Sequence, residues 1–204
     1  MCIRDRGCVE SNPFQQGWFV PHDIEGMKAL MGEDFFIQEL ELFFDRTTKD
    51  FLWSDYYNHP NEPDHHVPFL FNYSSKPWLT QKWTRQICKV AYGDDVLGLC
   101  GNEDVGQMSA WYVLAACGLY PVCPGDTRYE ISSPVFEKTE IQVGEGNTFI
   151  IRANRNTPEN TYIQSAKLNG MDYTRCYLDY KDIMKGGVLE LEMGPTPDKT
   201  WGIE

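Results

Sequence analysis

Residues 101–125 read GNEDVGQMSAWYVLAACGLYPVCPG, and this stretch marks where helix gives way to a different kind of structure. Met108, Trp111, Tyr112 and Ala115 recur at the spacing of one helix face. Gly118 supplies a C-terminal stop, with Pro121 just beyond it. At the other end Asp104 stands three residues before Gln107, the order of a capping box, so the helix is expected to open around Asp104.

Working outward, the upstream half carries two further helical patterns. After Glu33 and Asp34 come Phe36, Leu40 and Phe43, and later Trp83, Ile87 and Val90. Between the helices, residues 58–77 and 93–103 form connections that are long for a bundle and rich in aromatic residues and histidine, a composition that fits functional loops better than disorder. Downstream the period changes. Residues 129–132, 135–143, 148–153 and 162–168 are short runs of Val, Ile, Tyr, Phe and Thr, and Val188 to Met193 suggests a last strand. Asn169-Gly170 has the composition of a tight hairpin turn. The expected fold is α+β, with helices over residues 7–124 and a small antiparallel β region over residues 125–204. No internal repeat is visible.

Composition limits the partners. The chain has 204 residues, is 42% hydrophobic and 24% charged, and has no apolar run near the roughly 18 residues that a membrane span requires. A formal net charge of −12 would repel a phosphate backbone, and no basic cluster interrupts it, so nucleic acid is excluded as a partner. Aromatic residues make up 14%, which suits sugar faces as well as a core. Seven cysteines without a C-x-x-C pair indicate neither zinc nor a redox motif, and they leave the compartment open. The start MCIRDRG has no apolar segment of a signal peptide, and residues 1–6 read as a scar of sequence assembly, foreign to the rest of the chain.

Three clusters put carboxylates among aromatic residues, Pro and Gly: VESNPFQQGWFVPHD at residues 9–23, NEPDHHVPFLFNY at 61–73 and GNEDVGQMSAWYV at 101–113. Glu10 precedes Trp18 and Phe19, rings that could desolvate its carboxyl group and raise its pKa, as a general acid requires. Asp104 at a helix start would stay ionised, as a general base requires, although capping alone would equally explain an Asp there. Two carboxyl groups with pKa values pushed apart are the equipment for cleaving a glycosidic bond. His22, His65 and His66 lack the spacing of a zinc site. A hard cation is better served, because Asn61, Glu62, Asp64, Asn102 and Asp104 offer the oxygen atoms that calcium prefers, though not at EF-hand spacing.

Taken together, the three clusters resemble, in order, the signature segments of glycoside hydrolase family 92. ESN with WFVPHD resembles its Glu-Gly-Asn and WxVPHD segment, NEPDHHVPFLFNYSSKPW its NEPxxHxPYLYNYxGxPW loop, and residues 101–125 its GNDDxGQMSAWYVxSALGFYPVxPG helix start. The resemblance implies the last helices of an incomplete (α/α)6 toroid, an upstream β-sandwich domain and a secreted or periplasmic location. It implies inverting exo-hydrolysis of α-linked mannose from N-glycan-type glycans, of α-1,2 type, assisted by Ca2+. By position, Glu10 becomes the general acid and Asp104 the base. Glu62, Asn61, His65, Asn102 and Trp18 become substrate-binding residues, and Glu62 with Asp104 the calcium ligands. An inverting enzyme would hold the acid and base roughly 6.5–9.5 Å apart. Ser11 departs from the family's Gly, and Pro13-Phe14 from its Ala-Trp, which leaves a non-catalytic carbohydrate-binding module as the alternative. The fragment by itself is expected to be inactive.

Overall fold

The structure is a computed structural model describing residues 7–203; the scar assigned to residues 1–6 lies outside the described residues. A short turn of helix α1 (Pro13–Gln16) leads to α2 (Ile24–Met31) and α3 (Glu33–Asp45). Phe36, Leu40 and Phe43 do form the buried stripe of α3, joined by Ile37 and Phe44. The long connection after α3 is not featureless. It contains a 3-10 turn at Glu62–Asp64 and a 3-10 helix at Val67–Tyr73, of which six residues from Val67 to Asn72 are buried. Helix α4 (Pro77–Val90) buries Trp83 and Ile87, whereas Val90 is half out in solvent. Helix α5 (Gln107–Cys117) stops at Gly118, whose φ of 92° is the left-handed C-terminal punctuation expected there.

Beyond α5 the chain forms two sheets. The smaller has the order β1 (Leu119–Tyr120), β2 (Arg128–Ile131) and β7 (Tyr177–Asp179). The larger has the order β3 (Lys138–Gln142), β4 (Thr148–Asn154), β8 (Gly187–Gly194), β5 (Tyr162–Leu168) and β6 (Met171–Asp172). Asn169-Gly170 closes the β5–β6 hairpin, with φ of 53° and 82°, the positive values that a two-residue hairpin turn demands. Two features depart from the expected antiparallel region: β4 and β8 pair in parallel, and a one-turn helix α6 (Tyr180–Met184) precedes β8.

Two apolar cores result. One runs from Trp18 to Val122 through the helices, and the other from Leu119 to Trp201 between the sheets and α6. Directional polar bonds join them. Asn72 Nδ2 donates to the carbonyls of Ile131 at 3.0 Å and Cys176 at 2.9 Å, and Gln81 Oε1 accepts the Ile163 amide at 2.8 Å. Buried Asn72 and Gln81 thus fix the 3-10 helix and α4 against the sheet at particular backbone groups, which a greasy contact could not do.

Candidate active site

Glu10 sits on left-handed backbone, φ 57°, just ahead of α1. That turn is held by a capping box: Asn12 Oδ1 accepts the amides of Phe14 and Gln15, and Gln15 Oε1 accepts the Asn12 amide. Gln15 Nε2 then reaches the carbonyls of Ser54 and Tyr56, and Asn12 Nδ2 that of Asp55. Asn61 ties in the remaining side, its Nδ2 donating to the Glu10 carbonyl at 3.0 Å. Next to Asn61, Glu62 opens the 3-10 turn that Asp64 stabilises by accepting the Asn58 amide at 3.0 Å. Asp104 also lies on left-handed backbone, φ 37°, so the residues expected as acid and base are both among the few non-glycine positions with positive φ. Such conformations collect at functional sites, where surrounding structure must enforce them.

Asp104 and Glu10, remote in sequence, lie near enough to Glu62 for their charges to act on it. The Glu62 pKa is raised above its ordinary value by burial first, then by the neighbouring charge of Asp104, a side-chain hydrogen bond with it, and the charge of Glu10. Glu62 Oε1 is buried and has no hydrogen-bond partner among the described residues. Trp18, a ring expected to cover Glu10, lies in the core instead. Glu10 is exposed and lines a polar cavity of about 300 Å³ with Asn12, Trp53, Asp55 and Asn58. Glu62 lines a second, largely apolar cavity of about 530 Å³ with Phe19, His65, Gln107 and Tyr120.

The other expected site residues divide. His65 reaches this second cavity with both ring nitrogens already engaged, Nε2 donating to the His59 carbonyl at 2.9 Å and Nδ1 accepting from Gln107 Nε2 at 3.2 Å. Burial lowers its pKa to about 4, so it is a neutral wall of the cavity. Trp18 is a core residue, packed on Phe36 and Phe43 at ring separations of 5.7 and 5.9 Å, because the turn after α1 points its indole inward. Asn102 is exposed on the loop before α5. Asp104 is not the N-cap of α5: Gly106 is, and the Glu103 carboxylate accepts from Ser109 in the first turn. Trp53 and Asn58 shape the polar cavity and carried no recognisable signal beyond their place near the clusters, whereas Gln107, read from the sequence only as a capping partner of Asp104, lines the apolar one.

The sequence profile of the glycosyl hydrolase family 92 catalytic domain matches residues 3–195. The chain belongs to glycosyl hydrolase family 92. A family 92 α-mannosidase from Bacteroides thetaiotaomicron superposes with a TM-score of 0.90 at 35% identity, covering 96% of this chain and 26% of that one. A family 92 inverting mannosidase from the same species gives 0.88 at 34% identity, with 96% and 29% covered. Among curated proteins, a secreted glycosidase of Arthroderma benhamiae, itself uncharacterized, is 34% identical over 197 residues, which is 95% of this chain and 24% of that protein. This family 92 chain therefore spans about a quarter of the length of the relatives it matches. No helix among its described residues is long and apolar enough to cross a membrane.

Proposed function

We propose that the chain supplies the acid, the base and part of the sugar pocket of a secreted, inverting exo-α-mannosidase acting on N-glycan-type glycans, with α-1,2-linked mannose as the preferred substrate. The nearness of Asp104 and Glu10 to Glu62, close enough for their charges to act on it, supports this reading, because it associates carboxyl groups of unequal environment. The names of the family 92 mannosidases that share this fold support the sugar, and the inverting member supports the stereochemistry. Glu10, on the rim of the polar cavity, protonates the departing glycosidic oxygen. Asp104 takes a proton from the water that attacks the anomeric carbon from the opposite face, for which an inverting geometry leaves room. The apolar cavity beside Glu62 excludes water from one side of that centre.

Calcium fits the residues present, since a buried Glu62 oxygen lacks a hydrogen-bond partner and the Asp104 carboxylate neighbours the Glu62 group, a pair that a hard cation relieves. Glu62 and Asp104 would hold it. Among the described residues no group of three acidic, histidine or cysteine side chains could do so, which leaves further ligands to backbone, water, sugar or the rest of the protein. When bound, calcium would fix sugar hydroxyl groups and draw charge from them.

In the full-length protein, Asp104→Asn and Glu10→Gln should each slow hydrolysis by about 10²–10⁴ with the fold intact. An aryl mannoside with a good leaving group should restore the Glu10→Gln variant and leave Asp104→Asn slow. Proton NMR should show β-mannose as the first product; α-mannose appearing first would refute the mechanism.

A further inference from the structure

Residues 104–106 are bound in an unusual way. Asp104, Val105 and Gly106 have φ of 37°, 59° and 87°, three consecutive residues in left-handed conformation. Glycine adopts this region freely, but a β-branched valine does so only when something enforces it. Packing is not the cause, because the Val105 side chain is fully exposed. Glu103 closes the turn instead. One of its carboxylate oxygens accepts the Ser109 amide at 3.0 Å, and the other accepts the Ser109 hydroxyl at 2.8 Å. Its carbonyl accepts the Met108 amide at 3.4 Å, and the Asp104 carbonyl that of Gln107 at 3.2 Å. The Glu103 side chain thereby spans the left-handed residues from one end to the other.

The same link does the work of a helix cap. Ser109 is the third residue of α5, and the formal N-cap, Gly106, has no side chain to satisfy its amide. Had Asp104 filled that role, its carboxylate would be turned to the helix. With Glu103 there, Asp104 is left to meet Glu62. We propose that Glu103 is a positioning residue, whose carboxylate link to Ser109 holds the left-handed turn that presents Asp104 to the reacting centre. This rests on the reading of Asp104 as the base.

The test uses the full-length protein and p-nitrophenyl α-mannoside. Glu103→Ala should lower kcat by about 10- to 100-fold, the scale of a slight misplacement of a reacting group, with KM nearly unchanged. Glu103→Gln, whose amide oxygen can still accept the Ser109 amide, should keep most of the turnover. Combining Glu103→Ala with Asp104→Asn should lower kcat no further than Asp104→Asn alone, because both changes act through one carboxylate. A purely structural role would instead reduce the folded fraction and add to the Asp104→Asn loss. If Glu103→Ala does not fold, Ser109→Ala, which removes one of the two bonds, should give a smaller fall of the same kind. Wild-type kcat in Glu103→Ala, or in Ser109→Ala where that variant carries the test, overturns the proposal, as does an additive double variant. Asp104→Asn at wild-type turnover would defeat the base assignment itself, whereas an inactive Asp104→Asn beside a fully active Glu103→Ala defeats only the positioning role.

Discussion

His66 provides a test of how the loop beside the site is packed. Its ring is buried, Nε2 donates to the Trp18 carbonyl at 2.8 Å, and Phe19 meets it edge-on at 5.6 Å between ring centres. Burial lowers its pKa from 6.5 to about 4, against a smaller opposing effect of the bond to Trp18. The folded chain therefore keeps the ring neutral while the unfolded chain takes up a proton near the ordinary value. Between those two values the unfolded state binds more protons, so stability rises with pH and is lost as pH falls through that window. From about pH 7 to about pH 5 one such histidine removes ~2 kcal/mol. Buried Asp64 and Glu130 act in the opposite sense, since burial raises their pKa and the fold gains as they protonate. The informative quantity is thus a difference between wild type and His66→Gln, in which the carboxyl contributions cancel. Glutamine can still offer an N–H toward the Trp18 carbonyl but does not titrate. Wild type should be the more stable by about 1–3 kcal/mol at neutral pH, from better packing and bonding, and that advantage should shrink by ~2 kcal/mol at about pH 5. Urea unfolding followed by tryptophan fluorescence at the two pH values measures it. An advantage of equal size at both would refute the neutral, buried ring.

Three further outcomes are expected. Arg128 is sandwiched between Tyr73 and Tyr177, each at 4.0 Å, and pairs with the fully buried Glu130, so Arg128→Met should cost about 3–5 kcal/mol by leaving a buried carboxylate without its cation, though still held by the bond from Asn72. Replacing Glu130 by Met as well should restore much of that loss in a thermal melt. At Gly118 a Cβ would lie 2.6 Å from Pro134 Cγ on left-handed backbone, so Gly118→Val should lower stability by well over about 1 kcal/mol, read as a falling melting temperature. Chelation of the full-length protein should abolish mannosidase turnover and added calcium restore it; full turnover in protein shown by elemental analysis to be metal-free would remove calcium from the reading.

Much of the fold is legible in the residues, for local reasons. The α3 stripe, the Gly118 stop, the Asn169-Gly170 turn and the bounds of β5 are all dictated by periodicity or turn chemistry within a few positions. What escapes is set at a distance. The parallel pairing of β4 with β8 joins segments whose own sequences say nothing of direction. Trp18 and Trp53 occupy similar aromatic loops, yet one is in the core and the other is exposed beside Glu10, and only tertiary packing separates them. The start of α5 misleads for a sharper reason: Asp is a preferred cap, and nothing local announces that a valine next to it will adopt left-handed backbone. Glu62 looks like any loop carboxylate until Asp104 and Glu10 are brought beside it.

Three of the bonds from Asn72 and Gln81 to the sheet address main-chain atoms: the carbonyls of Ile131 and Cys176 and the amide of Ile163. At these three points the helical half requires of its neighbour a backbone path; the side chains it also engages include Glu130, which accepts from Asn72 Nδ2 at 3.1 Å, Arg128 over the Tyr73 ring, and Asn156, bonded to Arg85. Chimeras that graft the sheets of a distant relative onto these helices should accordingly assemble despite low identity at the seam, provided Arg128, Glu130 and Asn156 are kept. A single-residue slip in β2 or β5 would move those main-chain atoms by one pleat, and the graft would then fail even with every apolar residue preserved.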